Sequence, residues 1–319
     1  MSELMVVTGA AGFLGSHLCD ALLARGYEVL ALDDFSTGTP SNLAHLDQHP
    51  GFRLLRHDIT EPLPPQADGA SGIFNLACPA SPLHYQRRPV QTVLASTIGL
   101  NNVLETARRA NARVLQASTS EVYGDPLVHP QSERYFGNVN PLGPRACYDE
   151  GKRCAEALCL AYRRQYGLQV RIARIFNSYG PRLLPGDGRV VSNFISQAIA
   201  GQPLTVYGSG EQTRSFCFVE DTIDGLVRLM LSEVEQPLNI GATDEHTMLE
   251  LAQIVLKLTG SNSPLVRQPL PVDDPRRRRP DIGNARRLLG WTPRVSLNEG
   301  LRRTIRHFRQ TLRTPALES

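Results

Sequence analysis

The sequence lacks the features typical of membrane, secreted and nucleic-acid-binding proteins. No run of about 18 apolar residues occurs, which a membrane-spanning helix needs. The first residues have neither the basic start nor the long apolar core of a signal peptide. The formal net charge is only +3, so composition indicates neither nucleic acid nor a membrane surface as a partner. We therefore expect a soluble, cytoplasmic protein.

Cysteine is scarce and follows no recognisable pattern. The chain has six cysteines in 319 residues. None forms a Cys-x-x-Cys pair, and none has a histidine at a spacing suited to zinc. We expect reduced, mostly packed thiols and no metal site.

The first 35 residues read as strand, glycine-rich turn, helix, strand and acid. The apolar run 4–7 precedes Gly9, Gly12 and Gly15, and apolar residues then recur at helical spacing until Gly26. A second apolar run ends at Asp33, 18 positions after Gly15. This order is typical of a dinucleotide-binding unit.

The residue types in this unit fit a pyrophosphate and a ribose. Gly9 permits a tight turn, Gly12 lets backbone N–H groups approach the phosphates, and Gly15 allows the helix to pack closely on the strand. The positive end of the helix dipole then faces the phosphates. A carboxylate at Asp33 would accept hydrogen bonds from a ribose diol and repel a 2′-phosphate, so we expect NAD rather than NADP.

Apolar strands and helical patterns continue to alternate as far as about residue 177. We expect strands near residues 52–55, 72–76, 113–117 and 169–173, and helices over about 89–110 and 148–166. Such alternation predicts an α/β fold, a Rossmann-like doubly wound parallel sheet with helices on both faces. Ligands bind such a sheet at the carboxyl ends of its strands. Beyond residue 178 the pattern loosens into a smaller C-terminal part.

Tyr148 and Lys152 are four residues apart and therefore share one face of the second long helix. An ammonium beside a phenol favours the phenolate, which predicts a lowered pKa for Tyr148. A tyrosine with a lowered pKa can take a proton from an alcohol while a cofactor takes the hydride. Alone, this pair is a weak signal, and its neighbours decide its meaning.

Longer motifs give the chain a family resemblance. It resembles the extended short-chain dehydrogenase/reductases that act on nucleotide sugars, and among them it is similar to the UDP-glucuronate decarboxylases. The resemblance covers about residues 4–308. The motifs that carry it are STSEVYGDP (118–126), PLGPRACYDEGKR (141–153), ARIFNSYGPR (173–182), DGRVVSNF (187–194), VYGSGEQTR (206–214) and DDPRRRRPDI (273–282).

The resemblance implies a catalytic set of Thr119, Glu121, Tyr148 and Lys152. Tyr148 matches the family's base, Lys152 the residue that holds the nicotinamide ribose, and Thr119 the hydroxyl that bonds the reacting sugar oxygen. Glu121 stands where related dehydratases carry a catalytic glutamate. Those dehydratases have an aspartate just before it, where this chain has Ser120, which argues against loss of water.

The resemblance also implies cofactor and substrate contacts. NAD contacts are expected at Gly9, Gly12, Phe13, Leu14, Gly15, Asp33, Phe35, Ser36, Thr37, Gly38, Asp58, Ile59, Leu76, Ala77, Thr97, Tyr148 and Lys152. Contacts with the UDP-sugar are expected at Asn177, Arg182, Arg189, Val190, Tyr207, Arg214 and Arg278. Guanidinium groups suit bidentate phosphate binding. We expect residues 275–280 to form a short loop rather than a basic helix.

The implied organisation is two domains and a tail. Residues 1–177 with about 215–242 would bind NAD, 178–214 with 243–312 would bind the UDP-sugar, and 313–319 would form the tail. The helices near 89–110 and 148–166 resemble those of a four-helix dimer contact, so a homodimer is expected.

The implied reaction is the NAD-dependent conversion of UDP-glucuronate to UDP-xylose. Oxidation at C4 creates a β-keto acid, which loses carbon dioxide, and retained NADH then reduces the ketone. Three alternatives remain open: a decarboxylase that releases the UDP-4-keto-pentose and NADH, a UDP-sugar 4-epimerase, and a non-catalytic NAD sensor.

Overall fold

The computed structural model describes residues 2–313, with the backbone alone for Arg313. The rest of the tail predicted for 313–319 lies outside these residues. The strands are β1 Leu4–Thr8, β2 Glu28–Asp33, β3 Phe52–Arg56, β4 Gly72–Asn75, β5 Arg113–Thr119, β6 Val170–Ile175, β7 Ser178–Tyr179, β8 Leu204–Tyr207, β9 Thr213–Ser215, β10 Cys217–Phe218, β11 Leu238–Ile240, β12 Glu245–Thr247, β13 Leu265–Gln268 and β14 Arg277–Arg278. The α-helices are α1 Phe13–Leu23, α2 Pro82–Arg87, α3 Pro89–Leu94, α4 Leu100–Ala110, α5 Ala146–Tyr166, α6 Val190–Ile199, α7 Val219–Leu231, α8 Met248–Thr259, α9 Gly283–Leu289 and α10 Leu297–Arg313.

Seven parallel strands form the central sheet in the order β11-β6-β5-β4-β1-β2-β3. The strand order reverses between β1 and β4, which opens a crevice at the carboxyl ends of the strands. The predicted α/β fold with a doubly wound parallel sheet is confirmed.

Helices cover both faces of this sheet because its strands are apolar on both sides. Val6 belongs to one buried cluster, with residues of α4 and α5, whereas Val7 belongs to the other, with residues of α1 and α7. Successive side chains of a strand point to opposite faces, so neighbours in β1 feed the two clusters. The helix α5 ends at Gly167, whose positive φ of 69° suits glycine.

The C-terminal part adds three small sheets around the cleft. They pair β10 with β7, β13 with β8, and β12-β9-β14 in a three-stranded sheet. Trp291 fixes this part to the main body, since its Nε1 donates to the Asp221 carbonyl at 3.0 Å. The Asp221 carboxylate accepts the backbone N–H groups of Arg294 and Val295 at 2.9 and 2.8 Å.

The long predicted helices are confirmed, but three local details differ. The helix expected over 89–110 contains a π turn at Ala95–Gly99. Residues 82–87 form α2, which we did not predict. The expected loop at 275–280 is wrong in part, because Arg277–Arg278 form β14 and fill the free edge of β9. Across residues 2–313, no helix combines the length and apolar character needed to cross a membrane.

Candidate active site

A cleft of about 1200 Å³ runs along the carboxyl ends of the central strands. Single-ligand pockets commonly measure about 300–1,000 Å³, so this cleft has room for a dinucleotide and a second ligand. One wall is the glycine-rich turn after β1, and the opposite wall comes from residues 177–214 and 271–278.

The glycine-rich turn fits a dinucleotide pyrophosphate. Gly9 has a positive φ of 68°, and a Cβ there would lie 2.9 Å from the backbone of Ala77. A Cβ on Gly15 would lie 2.1 Å from the Gly9 carbonyl oxygen. Helix α1 begins after Gly12 with no side-chain cap and no acid in its first turn. Its N–H groups can therefore meet phosphate oxygens.

Asp33 lines the cleft close to the glycine-rich turn. Its carboxylate accepts the backbone N–H groups of Ala11 and Phe35, each at 2.8 Å. Burial raises its pKa, and these two hydrogen bonds oppose that shift. The carboxylate is fixed in direction and keeps lone pairs for a ribose diol.

Most of the predicted cofactor residues line the cleft. They are Gly9, Gly12, Phe13, Leu14, Gly15, Asp33, Ser36, Thr37, Asp58, Ile59, Leu76, Ala77, Tyr148 and Lys152. The structure does not bring Phe35, Gly38 or Thr97 to the cleft wall. Phe35 packs against the core, Gly38 lies behind Asp33, and the Thr97 hydroxyl donates to the Val93 carbonyl at 2.8 Å.

Tyr148 and Thr119 meet inside the cleft. Tyr148 lies in the first turn of α5 and Thr119 ends β5, and the two are close enough for the Thr119 hydroxyl to lower the pKa of the Tyr148 phenol. The Lys152 ammonium lies 5.8 Å from the centre of the Tyr148 ring and donates to the Ala117 carbonyl at 2.9 Å. All three side chains line the cleft, so three of the four residues in the predicted catalytic set are brought together in space.

The prediction of a lowered Tyr148 pKa is wrong when only the protein's own groups act on this tyrosine. Burial raises the pKa of Tyr148 well above its ordinary value, Cys78 adds to the rise, and the Thr119 hydrogen bond opposes it. The Lys152 ammonium is directed to the Ala117 carbonyl instead of the phenol oxygen. Sequence spacing correctly predicts that Lys152 and Tyr148 share one face of α5, but it does not predict which group the Lys152 ammonium binds.

Glu121 lies between two guanidinium groups. Its Oε2 is 2.8 Å from Arg145 and 2.8 Å from Arg278. Burial opposes ionisation of Glu121, yet Arg278 and Arg145 together hold its pKa below the ordinary value. The group is therefore an ionised anchor at neutral pH.

A second carboxylate extends this ion-pair network. Asp274 is 3.4 Å from Arg145 and 3.0 Å from Arg214. Burial and the neighbouring Arg278 lower the pKa of Arg214 to about 10. Three guanidinium groups thus face two carboxylates, and the excess positive charge favours an anionic ligand.

The remaining predicted substrate residues also line the cleft. They are Asn177, Arg182, Arg189, Val190 and Tyr207. Arg189 donates to the buried Asp187 carboxylate at 2.6 Å and lies 5.8 Å over the Phe13 ring, beside the glycine-rich turn. Arg182 pairs with Asp20 at 2.7 Å.

Three residues of the site were not predicted from the sequence. Tyr85 stacks on Tyr148, Arg145 pairs with Glu121, and Asp149 lies next to Tyr148. Burial and the Glu121 charge raise the pKa of Asp149 to about 7. Arg145 and Asp149 lie within the family motif at 141–153, which could have identified them from the sequence. Tyr85 lies outside all of the family motifs.

Residues 5–241 match the NAD dependent epimerase/dehydratase family. The chain belongs to this family. Membership confirms NAD as the predicted cofactor and agrees with the resemblance read from the motifs. Within residues 2–313, no three His, Cys, Asp or Glu side chains group together in a way that could hold a metal ion.

Curated members of known activity are similar over almost the whole chain. It is 53% identical over 308 residues to UDP-glucuronic acid decarboxylase 1 of Xenopus tropicalis, an alignment that covers 97% of this chain and 72% of that protein. It is 52% identical over 312 residues to UDP-glucuronic acid decarboxylase 6 of Arabidopsis thaliana, covering 98% and 90%.

Solved structures of this family share the fold at lower identity. UDP-glucose 4-epimerase of Thermotoga maritima, solved with UDP-glucose, superposes with a TM-score of 0.89 at 29% identity, covering 97% of this chain and 99% of that one. UDP-glucuronic acid 4-epimerase of Bacillus cereus, solved with UDP-glucuronic acid and NAD, gives 0.88 at 28% identity with the same coverage.

Proposed function

We propose that this protein converts UDP-glucuronate to UDP-xylose and carbon dioxide, with NAD as a recycled cofactor. The observation that carries the proposal is the site itself: Tyr148, Thr119 and Lys152 lie together beside a dinucleotide cleft that has an excess of positive charge. The identity of 52–53% to UDP-glucuronic acid decarboxylases supports the substrate.

The proposed chemistry begins with a proton transfer to the chain. The positive charge of bound NAD would lower the raised pKa of Tyr148. Tyr148 can then take the proton of the sugar C4 hydroxyl, and Thr119 donates a hydrogen bond to the same oxygen. NAD, when bound, would supply a reversible hydride acceptor for C4. The glycine-rich turn, Asp33 and Lys152 would hold this cofactor.

The second step is loss of carbon dioxide, which does not need the acid that a dehydratase uses to expel water. The ketone at C4 is β to the carboxylate, so the C5–C6 bond breaks and its electron pair is delocalised onto the ketone oxygen. Tyr148 and Thr119 stabilise that oxygen. A proton from solvent is added at C5, Tyr148 returns its proton to the C4 oxygen, and the reduced cofactor would supply the hydride for C4. Ser120, buried in the cleft wall, has no carboxyl group to drive dehydration.

These steps together predict UDP-xylose as the product and no net formation of NADH. Purified protein with UDP-glucuronate and NAD should give UDP-xylose by NMR with no rise in NADH absorbance. A UDP-4-keto-pentose with an equal amount of NADH would instead identify a decarboxylase that releases its intermediate. Interconversion of UDP-hexuronates with retained carboxylate would identify a 4-epimerase, and either outcome contradicts the proposal.

The anionic substrate would lie against the arginine-rich wall. We assign Arg189, Arg214 and Arg278 to the diphosphate and sugar, with Asn177, Arg182, Val190 and Tyr207 around them. Their position in the cleft wall supports this assignment. The network around Glu121 would hold Arg278 and Arg145 in place before the substrate enters.

The same proposal includes two domains and a homodimer. Residues 1–177 with about 215–242 contribute every strand of the central sheet, which supports a NAD-binding domain of these bounds, with 178–214 and 243–312 as the UDP-sugar domain. Val90 and Ile98 are 62% and 48% exposed on the α3–α4 side, which supports pairing of these helices with α5 between two copies. Sedimentation equilibrium should give twice the chain mass, and a monomer at all concentrations would contradict the pairing.

We also propose that the protein functions in the cytoplasm. All six cysteines are free thiols, which is typical of proteins in a reducing compartment. Imaging of a tagged protein would test this, and a secreted product would contradict it.

A further inference from the structure

The ring of Tyr85 covers one face of the Tyr148 ring. Their centroids are 5.0 Å apart and the planes differ by only 4°. Tyr85 is 1% exposed and Tyr148 6% exposed. Parallel aromatic pairs at this separation are attractive, and they restrict how each ring can turn.

A second contact ties Tyr85 to the start of α5. The Cys147 thiol donates to the Tyr85 carbonyl at 3.6 Å, and Cys147 immediately precedes Tyr148. Tyr85 therefore holds the base through its ring and through its backbone.

The helix that carries Tyr85 is itself held in place. α2 begins at Pro82, a favoured first residue of a helix. The hydroxyl of Ser81, just before it, donates to the Asp187 carbonyl across the cleft. Residues 79–84 line the cleft, whereas Tyr85 does not line it and its ring stacks on Tyr148.

Tyr85 uses its ring but not its hydroxyl. Among residues 2–313 the buried Tyr85 hydroxyl has no hydrogen-bond partner. Burial raises the pKa of Tyr85 far above its ordinary value, so its hydroxyl stays neutral. Tyr85 does not line the cleft, whereas Tyr148 does, so Tyr85 cannot replace Tyr148 as the base. An aromatic ring at this position satisfies all the contacts that the structure shows for this side chain.

We propose that Tyr85 is a positioning residue for Tyr148: its ring holds the phenol in the plane in which the hydroxyl meets Thr119 and the reacting carbon. The inference rests on the proposed function for its kinetic consequences. Effective catalysis needs the reacting groups within a narrow range of positions, and a displacement of about 1 Å can cost about 10²-fold in rate.

Replacing the ring separates positioning from the other roles. Tyr85→Leu should lower kcat by about 10²-fold, while KM for UDP-glucuronate and the Kd for NAD stay within about threefold. The kinetic isotope effect with C4-deuterated substrate should rise, because C–H cleavage becomes rate-limiting. Tyr85→Phe keeps the ring and should restore turnover to within about threefold of the wild type.

A matched control removes a buried aromatic ring elsewhere. Tyr179 is 1% exposed and packs edge-to-face on Phe218, outside the cleft wall. Tyr179→Leu should lower stability yet leave kcat unchanged. Tyr85→Met, whose unbranched and flexible side chain adapts better to the space left by the ring, serves if Tyr85→Leu does not fold. Wild-type turnover in the Leu or Met variant, or an equal loss in Tyr85→Phe, overturns the positioning role.

A substrate-free measurement keeps this test independent of the proposed reaction. Each variant is titrated by tyrosinate absorbance, and the same variant carrying Tyr148→Phe is subtracted to isolate Tyr148. Loss of the Tyr85 ring opens Tyr148 to solvent, so the pKa of Tyr148 should fall in Tyr85→Leu. The same pKa should stay unchanged in Tyr85→Phe, which keeps the ring. In both variants the other groups near Tyr148 remain, namely Thr119, Cys78, Glu121 and Lys152. An unchanged Tyr148 pKa in Tyr85→Leu contradicts the positioning role, even if no variant decarboxylates UDP-glucuronate. Failure of the wild type to release carbon dioxide contradicts only the proposed function.

Discussion

Tyr148→Phe should lower the turnover of UDP-glucuronate by about 10²–10⁴-fold. The variant keeps the ring, so the stack on Tyr85 is retained, but it loses the atom that takes the C4 hydroxyl proton. NAD should bind nearly as tightly as before, because the glycine-rich turn and Asp33 are untouched. Steady-state kinetics and calorimetric titration with NAD measure the two effects.

A tyrosine on the same helix provides the control. The Tyr162 hydroxyl donates to the Glu105 carboxylate at 2.6 Å and lies 2.9 Å from the Asn101 side-chain oxygen, and Tyr162 does not line the cleft. Tyr162→Phe also removes one phenol oxygen from α5 and should leave kcat unchanged. Turnover near the wild-type value in Tyr148→Phe would remove the role assigned to this residue.

Glu121→Gln should reduce both stability and turnover. The substitution leaves Arg145 and Arg278 without their shared carboxylate in a buried place, which costs about 3–5 kcal/mol of unfolding free energy. Both guanidinium groups line the cleft, so their displacement should also lower kcat/KM. Urea unfolding and steady-state kinetics measure the two losses.

The same variant should change the pH dependence of stability. The folded-state pKa of Glu121 lies below the unfolded value of about 4.3. The stability that this carboxylate contributes is therefore complete above that pH and is lost as the pH falls through the folded-state value. The difference in unfolding free energy between the wild type and Glu121→Gln should narrow below about pH 4.3.

Glu156→Gln distinguishes lost stability from lost function. Glu156 pairs with Arg174 at 2.7 Å in a similarly buried ion pair that lies outside the cleft wall. The control should be destabilised by a similar amount while its kcat/KM stays near the wild-type value. Equal losses of kcat/KM in both variants, or no loss in Glu121→Gln, would contradict the role of Glu121 in holding the cleft arginines.

The cofactor half of the fold was predictable because its signals are local. Gly9, Gly15 and Asp33 follow strands whose apolar runs are visible in the sequence, and the parallel sheet then brings strand ends to one edge. The Tyr148 and Lys152 side chains share a face because helical spacing requires it. Local rules of this kind place the cofactor cleft and its base.

The partners of those residues were not predictable because they come from distant segments. Tyr85 meets Tyr148 across 63 positions and Arg278 meets Glu121 across 157. Neither pair leaves a periodic signal. The direction of the Tyr148 pKa shift depends on burial and on the nearby Cys78, and both are products of tertiary packing.

The fate of the C4 hydrogen tests the central claim most directly. UDP-glucuronate deuterated at C4 is incubated with the protein and NAD in ordinary water, and the product is examined by NMR. If the retained cofactor removes the C4 hydrogen and returns it to the same carbon, UDP-xylose should carry the deuterium at C4 and a hydrogen from solvent at C5. UDP-xylose without deuterium at C4, or UDP-glucuronate that keeps its carboxylate throughout, would contradict the account.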